Sequence, residues 1–246
     1  MSKTSEKPTI FVTRRWPDAA EEALKQHFRP TLNEGDVPLT ATQIADGFAS
    51  HDALAPTVSD QITSDIIDAG AAGSGRLIAN FGVGVNHIDL DAARSAGLAV
   101  SNTPGVLTDA TADLALALML MVSRRAGEGE RELRAGEWHG WRPTHLMGRS
   151  LSGKTLGIIG MGRIGKAVAY RAALGFGMKI IFFNRSKVTD INDYVAKQID
   201  DLDVLCAQSD FVSLHCAASA DTFHILDEER LKQVQTHAYV INTARG

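Results

Sequence analysis

Short runs of apolar and β-branched residues alternate along this chain with stretches whose apolar positions recur at helical spacing. Thr9-Ile10-Phe11-Val12-Thr13 predicts a first strand. A helix is predicted to open near Pro17-Asp18, with Ala20, Leu24 and Phe28 on one side; proline is compatible with a first helical turn. Further helices are predicted over Thr40 to Ala49, about Ser59 to Ala69, and Asp89 to Ala96. Strands are predicted at Ala53-Leu54-Ala55, Arg76 to Phe81 and Leu98 to Ser101. This βαβα rhythm implies a parallel sheet packed on helices. A second series begins at Lys154, with strands at Thr155 to Ile159, Lys179 to Phe183, Phe211 to Leu214 and Ala238 to Asn242. The fold class is therefore α/β, with two successive βα series that each build a parallel sheet.

Asn102-Thr103-Pro104-Gly105 predicts a hinge. Pro104 pushes Thr103 out of the helical region, and Gly105 is permissive. The expected domains are 1–102 and 103–246. Beyond the hinge, Thr108 or Asp109 is expected to cap an apolar helix running towards Arg124. Its apolar run, Leu114 to Val122, is far shorter than the roughly 20 residues that span a bilayer, and Asp113 and Arg124 bracket it. It predicts a buried helix. A charged helix is expected near Glu128 to Arg134, then an ordered loop from Gly136 to Arg149 carrying two tryptophans.

Composition narrows the function classes. Of 246 residues, 44% are hydrophobic and 22% charged, which suits a globular core. A formal net charge of -4 gives no reason to expect nucleic acid or an anionic membrane as partner. The two cysteines, Cys206 and Cys216, fit no zinc spacing and no disulfide framework. They imply buried thiols in a reducing cytoplasm, with no metal. The N-terminal Met1 to Pro8 lacks the apolar core of a signal peptide.

Gly160-Met161-Gly162-Arg163-Ile164-Gly165 is a G-x-G-x-x-G following a predicted strand and opening a predicted helix. Gly160 allows a tight turn, Gly162 a close backbone approach to a pyrophosphate, and Gly165 close packing of helix on strand. The helix start then offers free N–H groups and a partial positive charge to phosphates. The alternatives are a structural turn, or a flavin or S-adenosylmethionine site. The next strand ends Phe183-Asn184-Arg185-Ser186-Lys187, without the carboxylate that usually receives the ribose hydroxyls of NAD. Arg185 and Lys187 can neutralise a 2′-phosphate and Ser186 can donate to it, which favours NADP(H) over NAD(H). The alternative is a pair of solvated loop cations.

These motifs, with Asn80-Phe81-Gly82-Val83-Gly84-Val85-Asn86-His87-Ile88-Asp89, Asn102 to Thr108 and Ile241-Asn242-Thr243-Ala244-Arg245-Gly246, resemble the D-isomer-specific 2-hydroxyacid dehydrogenases. Within them the chain is most similar to the glyoxylate/hydroxypyruvate reductases. The resemblance implies hydride transfer between NADP(H), or NAD(H), and a small 2-oxo or 2-hydroxy acid. It implies two flavodoxin/Rossmann-like doubly wound parallel-sheet domains, a substrate-binding first and a cofactor-binding second that is incomplete as written, with an active site in the cleft between them. Val83 and Gly84 would bind the substrate carboxylate through backbone N–H groups, although a ligand-free strand-to-helix turn explains the same glycines. Leu54 would line the substrate pocket. Thr108, His215, Cys216, Thr243 and Ala244 would border the dinucleotide, His215 being a cofactor-side residue and not the family's acid. Arg245 matches the arginine that grips the substrate carboxylate and carbonyl. Trp141, in Trp138-His139-Gly140-Trp141, would reach a partner subunit's pocket or pack at a dimer interface. The implied partner is a second copy bound through the cofactor domain.

In this family a glutamate and a later histidine supply the proton, both downstream of the arginine motif. The sequence ends at Gly246, and none of its eight histidines stands at that position. The expectation is a polypeptide that, as written, turns over poorly and leaves a sheet edge unpaired and prone to aggregation. Two other readings stay open: a dinucleotide-sensing binding protein without catalysis, and an NAD-linked relative such as phosphoglycerate or formate dehydrogenase.

Overall fold

The computed structural model describes residues 7–245; the first six residues, with the signal-peptide reading made on them, and Gly246 lie outside it. The chain divides between Gly105 and Val106 into two compact units.

The first unit holds β1 (Thr9–Val12), α1 (Asp18–His27), β2 (Arg29–Thr31), α2 (Ala41–Ala49), β3 (Ala53–Ala55), α3 (Ser64–Ala72), β4 (Leu77–Ala79), α4 (Leu90–Ser95) and β5 (Ala99–Ser101). Its five strands are all parallel, in the order β2-β1-β3-β4-β5. Alternate residues feed opposite faces, as a pleated strand requires. Ile10, Val12, Ala53 and Ala55 pack on one side with Leu24 and Leu77. Leu54 and Ile78 pack on the other with Ile44, Phe48, Ile66 and Ile67. The chain order reverses between β1 and β3, and in open parallel sheets ligands gather beyond the carboxyl ends of strands at such a point.

The second unit holds α5 (Thr108–Ser123), α6 (Ala126–Arg134), β6 (Thr155–Ile159), α7 (Arg163–Phe176), β7 (Lys179–Phe183), β8 (Ala196–Gln198), α8 (Leu202–Gln208), β9 (Phe211–Leu214), α9 (Glu228–Gln233) and β10 (Tyr239–Asn242). Its parallel strands run β10-β9-β6-β7-β8. Leu156, Ile158, Ile180 and Phe182 meet α5 and α7 residues on one face, while Ile159, Ile181 and Val212 meet Leu202 and Leu205 on the other. The reversal here falls between β6 and β9. The parallel α/β sheets agree with the periodicity, and the two-domain Rossmann-like arrangement is the one that the family resemblance implies.

Several elements differ from the sequence expectation. α3 starts at Ser64, because Ser59 to Ile62 is held otherwise: the buried Asp60 carboxylate accepts from Thr13 Oγ1 (2.6 Å) and Thr57 N–H (2.8 Å), and Ile62 bridges Ile88. α5 has Leu107 before its first residue and no side-chain cap, so neither Thr108 nor Asp109 caps it. Asp109 and Asp113 instead pair with Arg171 of α7 at 2.8 and 2.7 Å. Nor is α5 buried all round. Ala112, Ala115, Leu116 and Met119 face the core, while Leu114, Leu120, Met121 and Val122 are exposed. β2, β8, α8 and α9 are additional elements. No helix among the described residues is long and apolar enough to cross a membrane.

Candidate functional site

β6 delivers the chain into the glycine turn at the sheet's reversal point. Gly160 sits at φ +97, and a Cβ there would lie 2.5 Å from the Cys216 nitrogen, so only glycine fits. A Cβ on Gly165 would meet the Gly160 carbonyl oxygen at 2.2 Å, which keeps α7 tight against the turn. Gly162 precedes α7 with no side-chain cap, and a Cβ there would meet nothing within 4 Å. The N–H groups of Gly162, Arg163 and Ile164 have no hydrogen-bond partner among the described residues. They form an open, electropositive cradle at a helix start, which suits a diphosphate.

A cleft of about 1260 Å³ extends from that cradle. It brings together Gly160, Gly162, Asn184, Arg185, Ser186, Lys187, His215 and Cys216. Arg163, Ile164, Gly165, Thr108, Thr243 and Ala244 do not line it: Gly165 is buried in the helix–strand packing, and Thr243 and Ala244 follow β10 beside His215. At the end of β7, Asn184 Oδ1 accepts from the Met161 N–H at 3.1 Å, and its Nδ2 donates to the Ser186 carbonyl at 2.9 Å. An amide thus stands where a ribose-binding carboxylate would be expected, and it ties the glycine turn to the next loop. Arg185 and Lys187 are exposed and have no ion-pair partner among the described residues. The cleft also takes in Gln198, Asp200, Ser219, Asp221, Thr222 and Ile225, which the sequence reading does not single out. Gln198 and Asp200 come with β8, a strand whose three residues carry no β-branched or aromatic side chain to signal it.

His215 follows β9. Its Nε2 is 2.8 Å from Ser213 Oγ and its Nδ1 3.4 Å from Thr243 Oγ1. Burial pushes its pKa down to about 4, so the ring is neutral at neutral pH. Burial likewise pushes the Cys216 thiol up, which keeps it un-ionised. Beyond β10, Ala244 N–H donates to Asn242 Oδ1 (2.9 Å) and Asn242 Nδ2 to the Arg245 carbonyl (3.3 Å), a side-chain turn that leaves Arg245 exposed.

In the first unit, β4 runs into a turn whose carbonyls point inward. Asn80 Nδ2 donates to the Gly82 and Gly84 carbonyls at 3.1 and 3.0 Å, Thr103 N–H to the Gly82 carbonyl at 3.0 Å, and Asn102 Nδ2 to the Val83 carbonyl at 2.8 Å. His87 Nε2 meets Asn80 Oδ1 at 2.9 Å and fixes the amide's orientation. The Val83 and Gly84 N–H groups are left without partners among the described residues. Such a nest suits an anion. Leu54, which the resemblance sets at the substrate pocket, is 0% exposed and packed in the sheet core. The side chain at the turn is Val58, which an added Cβ on Gly82 would approach to 2.9 Å. Trp141 is 82% exposed, in a loop fastened to α6 through Glu132, whose carboxylate lies 2.7 Å from His145 Nε2.

Comparison with known proteins fits this geometry. The D-isomer specific 2-hydroxyacid dehydrogenase NAD-binding domain matches residues 116–246. A glyoxylate reductase of Thermococcus litoralis is 38% identical over 98% of this chain and 73% of its own length. A solved protein from Polaromonas sp. JS6 66 superposes with a TM-score of 0.90 at 39% identity, over 98% of this chain and 75% of that one. A solved glyoxylate reductase from Paecilomyes thermophila gives 0.79 at 34%, over 98% and 74%. With the glycine cradle, the cleft and these likenesses together, the chain belongs to the D-isomer specific 2-hydroxyacid dehydrogenase family and is an NAD(P)-dependent oxidoreductase.

Proposed function

We propose that this protein reduces a short 2-oxo acid, of the glyoxylate or hydroxypyruvate kind, and draws on NADPH in preference to NADH. The observation that carries the cofactor choice is the Arg185-Ser186-Lys187 turn on the cleft, next to an asparagine in place of a carboxylate. Two cations without an ion-pair partner among the described residues, and a hydroxyl, attract a 2′-phosphate, and the end of β7 carries no acid to repel it. The names of the glyoxylate reductases among the relatives support the substrate class.

When bound, the nicotinamide would supply the hydride to the carbonyl carbon, and the carbonyl oxygen would take its proton from solvent water. The N–H groups of Gly162, Arg163 and Ile164 hold the diphosphate, with Gly160 and Gly165 shaping the turn. Asn184, Arg185, Ser186 and Lys187 hold the adenosine end, and His215, Cys216, Thr243 and Ala244, with Thr108, border the rest. The Val83 and Gly84 N–H groups receive the substrate carboxylate. Arg245 presents a guanidinium to the carboxylate and the carbonyl oxygen, where it stabilises developing negative charge. The exposed Leu114, Leu120, Met121 and Val122 of α5, with Trp138 and Trp141, support a homodimer formed through the second unit.

Titrating the protein with NADPH and NADH by nicotinamide fluorescence tests the cofactor reading. The expected result is NADPH tighter by at least about tenfold, the scale of one lost charge-assisted contact. Equal or tighter NADH binding sinks it.

A further inference from the structure

We propose that Gln198 is the positioning residue that makes the Asn184–Val188 turn selective for a 2′-phosphorylated dinucleotide; this rests on the NADPH reading above. Gln198 ends β8, paired in register with Phe182 of β7. Its side chain reaches under the turn and makes three hydrogen bonds. Nε2 donates to the Asn184 carbonyl at 3.3 Å and the Ser186 carbonyl at 3.2 Å, and Oε1 accepts from the Val188 N–H at 3.1 Å. Asn184 Nδ2 gives the Ser186 carbonyl a second donor and also lies 3.3 Å from Ser186 Oγ.

The chemistry follows from which groups these bonds occupy. An amide side chain carries donors and an acceptor on one rigid plane, so it can bind carbonyls and an N–H of the same turn at once. Two carbonyl oxygens of the turn are thereby occupied by donors. With Asn184 Nδ2 donating to Ser186 Oγ, that hydroxyl's own hydrogen is free to be given to an anion. The groups of the turn left to face a phosphate are the Arg185 guanidinium, the Lys187 ammonium and the Ser186 O–H. The cleft already carries the carboxylates of Asp200 and Asp221. A turn whose carbonyls swung inward would add to that negative potential, and the two cations would then serve only to offset it. Gln198 bonds to the Asn184–Val188 turn and reaches the glycine turn only through Asn184, whose Oδ1 accepts from the Met161 N–H, so its effect is expected to fall first on the adenosine end.

The test uses the full chain with Gln198→Leu and Gln198→Glu. Leucine removes all three bonds; glutamate keeps the acceptor for Val188 N–H, loses the donors and adds a charge. NADPH, NADH, adenosine 2′,5′-bisphosphate and 5′-AMP are titrated against each, and circular dichroism checks folding. Q198L is expected to weaken NADPH and the 2′,5′-bisphosphate by about fivefold to tenfold and the other two less than about twofold; Q198E goes further in the same direction. If Q198L does not fold, Gln198→Met, which also removes the three bonds without adding a charge, carries the same comparison, and Q198E is read only beside one of these neutral variants. A parallel loss for all four ligands means a merely structural glutamine and overturns the proposal. So does an unchanged NADPH preference in both variants. A parent protein that binds NADH as tightly as NADPH refutes the underlying reading, and the role of Gln198 falls with it.

Discussion

At His215 the imidazole lies between Ser213 Oγ and Thr243 Oγ1, and burial lowers its pKa to about 4. In the unfolded chain the same group titrates near the ordinary histidine value of about 6.5. Between these limits the unfolded state binds the extra proton, so stability falls as pH drops from about 6.5 towards 4 and is fully present above that window. A shift of this size corresponds to at most about 3 kcal/mol, less whatever solvent screening removes at a half-buried ring. His215→Gln keeps polar contacts with Ser213 and Thr243 but cannot take up the proton. Urea unfolding at pH 4.5, 5.5 and 7 is expected to show a smaller loss of stability on acidification in the variant. Parallel curves for parent and variant would remove His215 from the account. The same residue shows why a histidine after a strand is a poor guide to acid catalysis: its protonation follows from what surrounds it. Leu54 carries a related lesson. Resemblance sets it at a pocket, and alternation along β3 sends its side chain into the face packed by Phe48 and Ile66.

At the scale of elements, the parts with strong local signals are legible in the sequence. α2 has a capping box in which Gln43 N–H donates to Thr40 Oγ1 at 3.3 Å and Thr40 N–H to Gln43 Oε1 at 2.9 Å. Thr40→Ala removes one of these acceptors at an exposed helix start and is expected to cost about 1 kcal/mol, read as a lower urea midpoint at unchanged slope. No change in midpoint would mean that water replaces the cap without loss. The glycine turn with β6, α7 and β7 is equally plain, because turn, strand and helix signals agree across one short stretch. β2 and β8 are not. Arg29-Pro30-Thr31 is a three-residue edge strand, and proline is tolerated there because one side needs no donor. β8, Ala196-Lys197-Gln198, is likewise an edge strand, of the second sheet, held by its pairing with β7 rather than by propensity. Both exist because a neighbouring strand offers its edge, which is a tertiary fact. The missed β8 is also why Gln198 and Asp200 escape a reading built on motifs.

Over the whole molecule, each of the two sheets is parallel and needs cover on both faces. In the second unit α5 and α7 cover one face, and α5 spends only part of its apolar surface doing so: Ala112, Ala115, Leu116 and Met119 go inward. Leu114, Met121 and Val122, spaced at i, i+7 and i+8, are exposed on another side. Leaving such a helix face in water is costly at about 25 cal/mol per Å², and a second copy is the partner that every solution of this protein contains. Leu114→Arg combined with Met121→Glu places charges on that face without touching the inward residues. Sedimentation equilibrium of the parent is expected to give a dimer and of the double variant a monomer, with circular dichroism unchanged. Because the variant leaves the glycine cradle and the Asn184–Val188 turn intact, its NADPH affinity is expected to stay within about twofold, a free-energy change below that of one hydrogen bond. A monomeric parent at micromolar concentration, or a double variant that remains dimeric, would locate the association elsewhere and return the exposed face of α5 to solvent.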